Sequence, residues 1–100
     1  MAKATKASEP RIVNADHCRQ AIETRYHGPT NTRGARISAS AQAGRIYVSY
    51  DHALGIDENH AAAALAFAKR WGWAGEWVGG GRADGRGNVY TNIPRPASRR

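Results

Sequence analysis

One cysteine, Cys18, is all the thiol chemistry this sequence holds. Neither an intramolecular disulfide nor a cysteine-based zinc site can be built from it, and a reducing compartment is the natural setting. Long apolar runs are also missing. Nothing approaches the roughly 20 residues that a membrane helix needs, and the opening MAKATKASEPRIVNADHC lacks the apolar centre of a secretory signal. The expectation is a soluble, cytoplasmic protein with no membrane partner. Large apolar side chains are scarce, because alanine supplies much of the 41% hydrophobic content. A chain of 100 residues therefore has one thin core at most, burying about two-thirds of its unfolded surface.

Acidic residues are few: eight, against fifteen Lys and Arg, for a net charge of +7. That surplus points toward nucleic acid, but its distribution weakens the inference. Residues 1–19 carry +2, residues 94–100 carry +3, and the stretch 20–93 carries only +2. Basic ends can add phosphate affinity or can simply solubilise a chain. The organisation expected is a flexible basic tail at 1–18, a single domain at 19–93, and a second flexible basic tail at 94–100.

Within that domain, residues 20–26 alternate, with Ile22, Thr24 and Tyr26 on one face and Glu23 and Arg25 on the other. This is the period of a half-buried strand. Residues 36–41 alternate again, and a short turn whose Gly44 can take a positive φ leads into a third strand over 45–50. HAAAALAFAKRW, at 60–71, has the highest helix propensity in the chain. Asp57 is the expected N-cap and Gly72 the expected C′ glycine. Ala61, Ala64, Leu65, Ala68 and Trp71 form the expected apolar stripe, with Phe67 at its margin. Residues 76–78 and 88–93 read as a last pair of strands, joined by the glycine-rich GGGRADGRG at 79–87. The fold class expected is α+β, an antiparallel sheet of about five strands in the order β-β-β-α-β-β with one helix packed on one face.

The stretch HGPTNTRGAR, at 27–36, is longer than a hairpin requires and has no large apolar side chain. Thr30, Asn31 and Thr32 can satisfy neighbouring backbone, which makes a self-contained loop. The same residues beside Arg33 and Arg36 form a donor set suited to phosphate or carboxylate. Both readings stay open. GGGRADGRG matches neither GxGxxG before a helix nor GxxxxGK[ST], and it lies between strands, so a flexible hairpin tip is the plain reading. Arg82 and Arg86 would join Arg33, Arg36 and Arg45 only if the two loops share one edge of the sheet. The outward face of the first three strands adds Tyr47, serines and further arginines, a composition that binds nucleic acid by phosphate contact and stacking. It is equally the composition of an ordinary solvated face.

From Tyr26-His27-Gly28-Pro29-Thr30-Asn31-Thr32-Arg33-Gly34-Ala35-Arg36-Ile37, through Tyr50-Asp51-His52-Ala53-Leu54 and Asn59-His60-Ala61-Ala62-Ala63, to Gly72-Trp73, the domain resembles a group of small bacterial proteins. That group accompanies phages, plasmids and other mobile DNA. It carries no established activity, so the resemblance implies no catalytic residues.

The function expected is a small non-enzymatic binding module that contacts nucleic acid. Its contacts would be Thr30, Asn31, Thr32, Arg33, Arg36, Arg45, Tyr47, Arg82 and Arg86, with no cofactor or metal. The alternative is a mobile-element-encoded accessory or inhibitor that binds a host protein complex, with Trp73 or Trp77 as its anchor. A metal-dependent enzyme using Asp51, His52 and His60 is a minor third option. An exposed sheet edge leaves room for a dimer.

Overall fold

The computed structural model describes residues 9, 10, 12 and 20–93. Apart from residues 9, 10 and 12, which are exposed, the tails expected at 1–18 and 94–100 lie outside the described residues. The chain runs β1 (Ile22–His27), β2 (Arg36–Ala41), β3 (Gly44–Ser49), α1 (Ile56–Arg70), β4 (Trp77–Gly81) and β5 (Asn88–Asn92). The strands form one antiparallel sheet in the order β3-β2-β1-β5-β4. Helix α1 covers one face of β1, β2 and β3 and touches β5. This is the expected α+β architecture.

Alternation sets the sheet's two faces. Ile22, Thr24, Ile37 and Ala39 are buried under the helix, while Glu23 and Arg25 are exposed on the opposite side. The turn between β2 and β3 is pinned by the Ala43 amide, which donates to Gln20 Oε1 at 2.9 Å. Gly44 does not lie in that turn: it is the first residue of β3, paired with Ala41. What demands glycine there is the Trp71 ring, since a Cβ would sit 2.6 Å from it.

Helix α1 starts two residues earlier than the Asp57 cap implied. Gly55 is the N-cap, and Glu58 Oε1 accepts its amide at 2.8 Å. The buried face also differs from the expected stripe. Asn59, His60, Ala63, Ala64, Phe67 and Ala68 are buried, Ala61 is only half-buried and Leu65 is 55% exposed. Positions 60, 63/64, 67 and 71 follow the same helical spacing, rotated toward Phe67. Two polar residues at its start, Asn59 and His60, hid the stripe. The alanines let the helix lie close to the sheet. At the far end Gly72, at φ 72°, closes a Schellman motif: its amide donates to Lys69 O at 3.1 Å and that of Trp73 to Ala68 O at 2.8 Å.

Phe67 is the centre of the core. Trp71 stacks on it at 4.3 Å and Trp73 meets it edge-on at 5.5 Å, while Trp77 stacks on Trp73 at 6.0 Å. Burying a side chain of this kind contributes roughly 1.5–3 kcal/mol. The three glycines at 79–81 belong to strand β4, so the loop is only 82–87. The Tyr90 ring lies over the first of them, Gly79, where a Cβ would approach to 2.5 Å. The aromatic ring covers the edge glycine as a side chain would.

Candidate nucleic-acid interface

The face of the sheet away from α1 is built by residues of one parity on three strands. The register places Glu23, Ser40 and Arg45 in one row, Arg25, Ser38 and Tyr47 in the next, and His27, Arg36 and Ser49 in the third. Ser38 is buried even though it faces away from the helix. Its Oγ lies 2.9 Å from His27 Nε2, and the His27 ring lies 5.6 Å from that of Tyr47. The Arg36 guanidinium sits 5.7 Å from the centre of the same tyrosine ring, which is 50% exposed. Tyr47 is thus flanked by a cation and an imidazole and still open to solvent.

His27 registers the charge of this face. Partial burial first, then Arg36, Arg25 and Arg45, hold its pKa below the ordinary 6.5. Glu23, the carboxylate on these rows, has Arg82 Nη2 at 3.8 Å. Arg36 Nη1 donates to Gly34 O at 3.4 Å, and its Nε is buried with no hydrogen-bond partner among the described residues. Leaving a buried donor unmatched costs about 1–3 kcal/mol. Arg36 is therefore positioned at some expense to the fold.

The 28–35 loop is closed by its own atoms. Thr30 N donates to Arg33 O at 2.7 Å, and Thr30 Oγ1 accepts from the amides of Thr32 at 3.3 Å and Arg33 at 3.1 Å. Thr30 is thereby a builder of the turn, and Asn31, Thr32 and Arg33 are its exposed tip. The two long loops do share one end of the sheet: β1 ends where β2 begins, and the same end carries the close of β4 and the start of β5. Their arginines are not equivalent. Arg82 is engaged by Asp84 Oδ2 at 3.0 Å as well as by Glu23. The amide of Arg86 donates to Asp84 Oδ1 at 2.9 Å, leaving its side chain exposed. That amide is the main cause of Asp84's lowered pKa, with Arg82, Arg86 and Arg25 adding to it.

Metal ligation by Asp51, His52 and His60 has no geometric basis, because the three do not gather. Asp51 Oδ1 accepts the Ala53 amide at 2.9 Å, His52 packs 5.1 Å from the Tyr50 ring, and His60 turns into the sheet. No group of three His, Cys, Asp or Glu placed to hold a metal occurs among the described residues. Trp73 and Trp77 are half-buried in their stack.

Sequence reasoning missed a second polar centre at this end. His60, expected as an ordinary first-turn residue, is only 3% exposed, with Nδ1 2.7 Å from Thr24 Oγ1. Thr24 Oγ1 also takes the Asn88 amide at 3.2 Å, and Asn88 Nδ2 donates to Asp57 Oδ1 at 3.2 Å. Burial holds the His60 pKa below 6.5, against a smaller upward pull from Asp57. The signal was available in the 60-64-67-71 spacing. No protein-family model matches the chain, and neither a curated protein nor a solved structure does.

Proposed function

We propose that this protein binds single-stranded nucleic acid across the open face of β1, β2 and β3. The observation that carries the reading is the cluster of Arg25, Arg36 and Arg45 around His27 and the half-exposed Tyr47. Guanidinium groups contact phosphates through paired donors, and an exposed tyrosine offers a base a stacking surface that ignores sequence. A flat sheet face suits a strand whose bases are splayed open better than a duplex. Arg33 at the loop tip would extend the contact beyond the sheet edge.

The test is a salt titration of binding to single-stranded DNA and RNA. Each phosphate contact contributes about 0.7 to the slope of log affinity against log salt. Arg36→Ala with Arg45→Ala should flatten the slope by about 1.4 on that basis. Tyr47→Ala should lower affinity by about 1–3 kcal/mol through lost stacking and leave the slope in place. Absence of binding to every single strand at low salt would sink the proposal.

A further inference from the structure

A cleft of about 420 Å³ lies between the first turns of α1 and residues 85–88. Arg25 lines this cleft and also belongs to the basic face. We propose that the cleft is a nucleobase pocket selective for guanine, receiving one base of the bound strand. The inference rests on the nucleic-acid reading of the neighbouring face and adds a base identity to it.

The walls suit a planar ring. Tyr26 and Ile56 supply apolar surface, and the volume falls within the range of small-ligand sites, roughly 300–1,000 Å³. The glycines keep the cleft's outer wall thin. Gly85 sits at φ 73°, and Gly87 lies so close to β1 that a Cβ would overlap the Thr24 carbonyl. No side chain can project from Gly87 without pushing the loop off the strand.

Arg25, Asp57, His60, Arg86 and Asn88 bring polar groups to the space. His60 lines the cleft while almost wholly buried, and its Nδ1 is taken by Thr24. Its Nε2 has no hydrogen-bond partner among the described residues. If Thr24 gives its hydroxyl proton to Asn88 O, at 3.3 Å, then His60 donates from Nδ1 and offers Nε2 as an acceptor. If that proton goes to Nδ1 instead, Nε2 carries a hydrogen. Asp57 accepts Asn88 Nδ2 on one oxygen, which leaves the other for a ligand. A carboxylate at this point favours a ligand edge that presents hydrogens, while Arg25 and Arg86 offer donors to a ligand's acceptors. Guanine presents N1–H and N2–H side by side. Adenine and cytosine place an acceptor beside their donor, and uracil flanks its one N–H with carbonyls. Phosphates would remain outside, on Arg36 and Arg45.

The experiment titrates the whole chain with uncharged nucleosides while following backbone amide NMR shifts. Guanosine should bind and move the amides of Asp57, His60 and residues 85–88. Adenosine, cytidine and uridine should bind at least tenfold more weakly, and so should inosine, which lacks the N2 amine. Asp57→Asn, a change at an exposed position, should weaken guanosine at least tenfold. Equal shifts with all the nucleosides, none at millimolar concentration, or an unchanged Asp57→Asn affinity would each overturn the pocket. Because nucleosides carry no phosphate, the salt slope measured on a homopolymer strand reports the open face separately. A homopolymer that binds without any nucleoside preference removes the pocket alone. A guanosine site in a protein that binds no strand keeps the pocket and removes the face.

Discussion

Two histidines carry opposite consequences of the same lowered pKa. His60 is buried and bonded to Thr24, with burial the first cause of its shift. The unfolded chain takes up this proton near the ordinary value of 6.5, and the folded chain takes it up only at lower pH. Stability from His60 is therefore complete above about 6.5 and is lost as pH falls from there through the folded-state pKa. Denaturant unfolding at a series of pH values should show a midpoint that drops between pH 7 and 5. His60→Gln should lower stability at pH 7 and make that drop shallower. For His27 burial lowers the pKa first, and the further lowering by Arg36, Arg25 and Arg45 is a cost that a bound phosphate would relieve. Binding would then raise its pKa and take up a proton, so affinity for a strand should increase as pH falls below about 6.5. His27→Gln should remove that pH dependence and retain most of the affinity at pH 8.

At the scale of elements, α1 is held by a narrow apolar stripe and by one polar staple. Asn59 donates from Nδ2 to Asp51 O at 2.9 Å and to Gly55 O at 3.0 Å, and its Oδ1 accepts the Asp51 amide at 2.7 Å, which fastens the 51–55 loop to the helix. Phe67 and Leu65 test the helix face directly. Phe67→Ala should destabilise by about 3–5 kcal/mol, whereas Leu65→Ala, at a mostly exposed position, should cost about 0.5 kcal/mol or less. Urea unfolding of the two variants decides it, and equal losses would contradict the face described. The same pair shows what could be read from the sequence. Strands β1 to β3 were legible because Ile22, Thr24, Ile37, Ile46 and Val48 alternate strictly with polar residues. The helix was legible in extent but not in rotation, because a stripe that begins with Asn59 and His60 does not look apolar. Gly79 to Gly81 looked like loop because glycine carries no strand pattern, and the Tyr90 ring that covers Gly79 comes from the neighbouring strand. Arg36 was legible as a residue of the basic sheet face, while the bonds of His27, Thr24 and Asn88 were not, since they arise only from cross-strand neighbours. The Arg82 pairs with Glu23 and Asp84 were likewise invisible until the loop had a position.

Over the whole molecule, the question is whether the net charge of +7 or its placement governs binding. Long-range attraction to a polyanion counts every cation within a Debye length, about 8 Å at physiological salt and about 30 Å at 0.01 M. Short-range contact counts only cations that reach a phosphate. Two pairs of cations lie on opposite sides of the sheet. Arg36 and Arg45 lie on the open face beside Tyr47, whereas Lys69 and Arg70 are exposed in the last turn of α1, on the covered side of the sheet. Removing either pair lowers the net charge by the same two units. Under the face-binding proposal, Lys69→Ala with Arg70→Ala should slow association at low salt but leave the salt slope near that of the unaltered chain. Arg36→Ala with Arg45→Ala should flatten the slope and weaken binding at every salt concentration, because contacts that release counterions are gone. Parallel fluorescence titrations of the two double variants, on the same single-stranded oligonucleotide, make the comparison. Identical slopes for both would show that the tails and overall charge drive attraction, and would leave the Arg–Tyr face without a role in it.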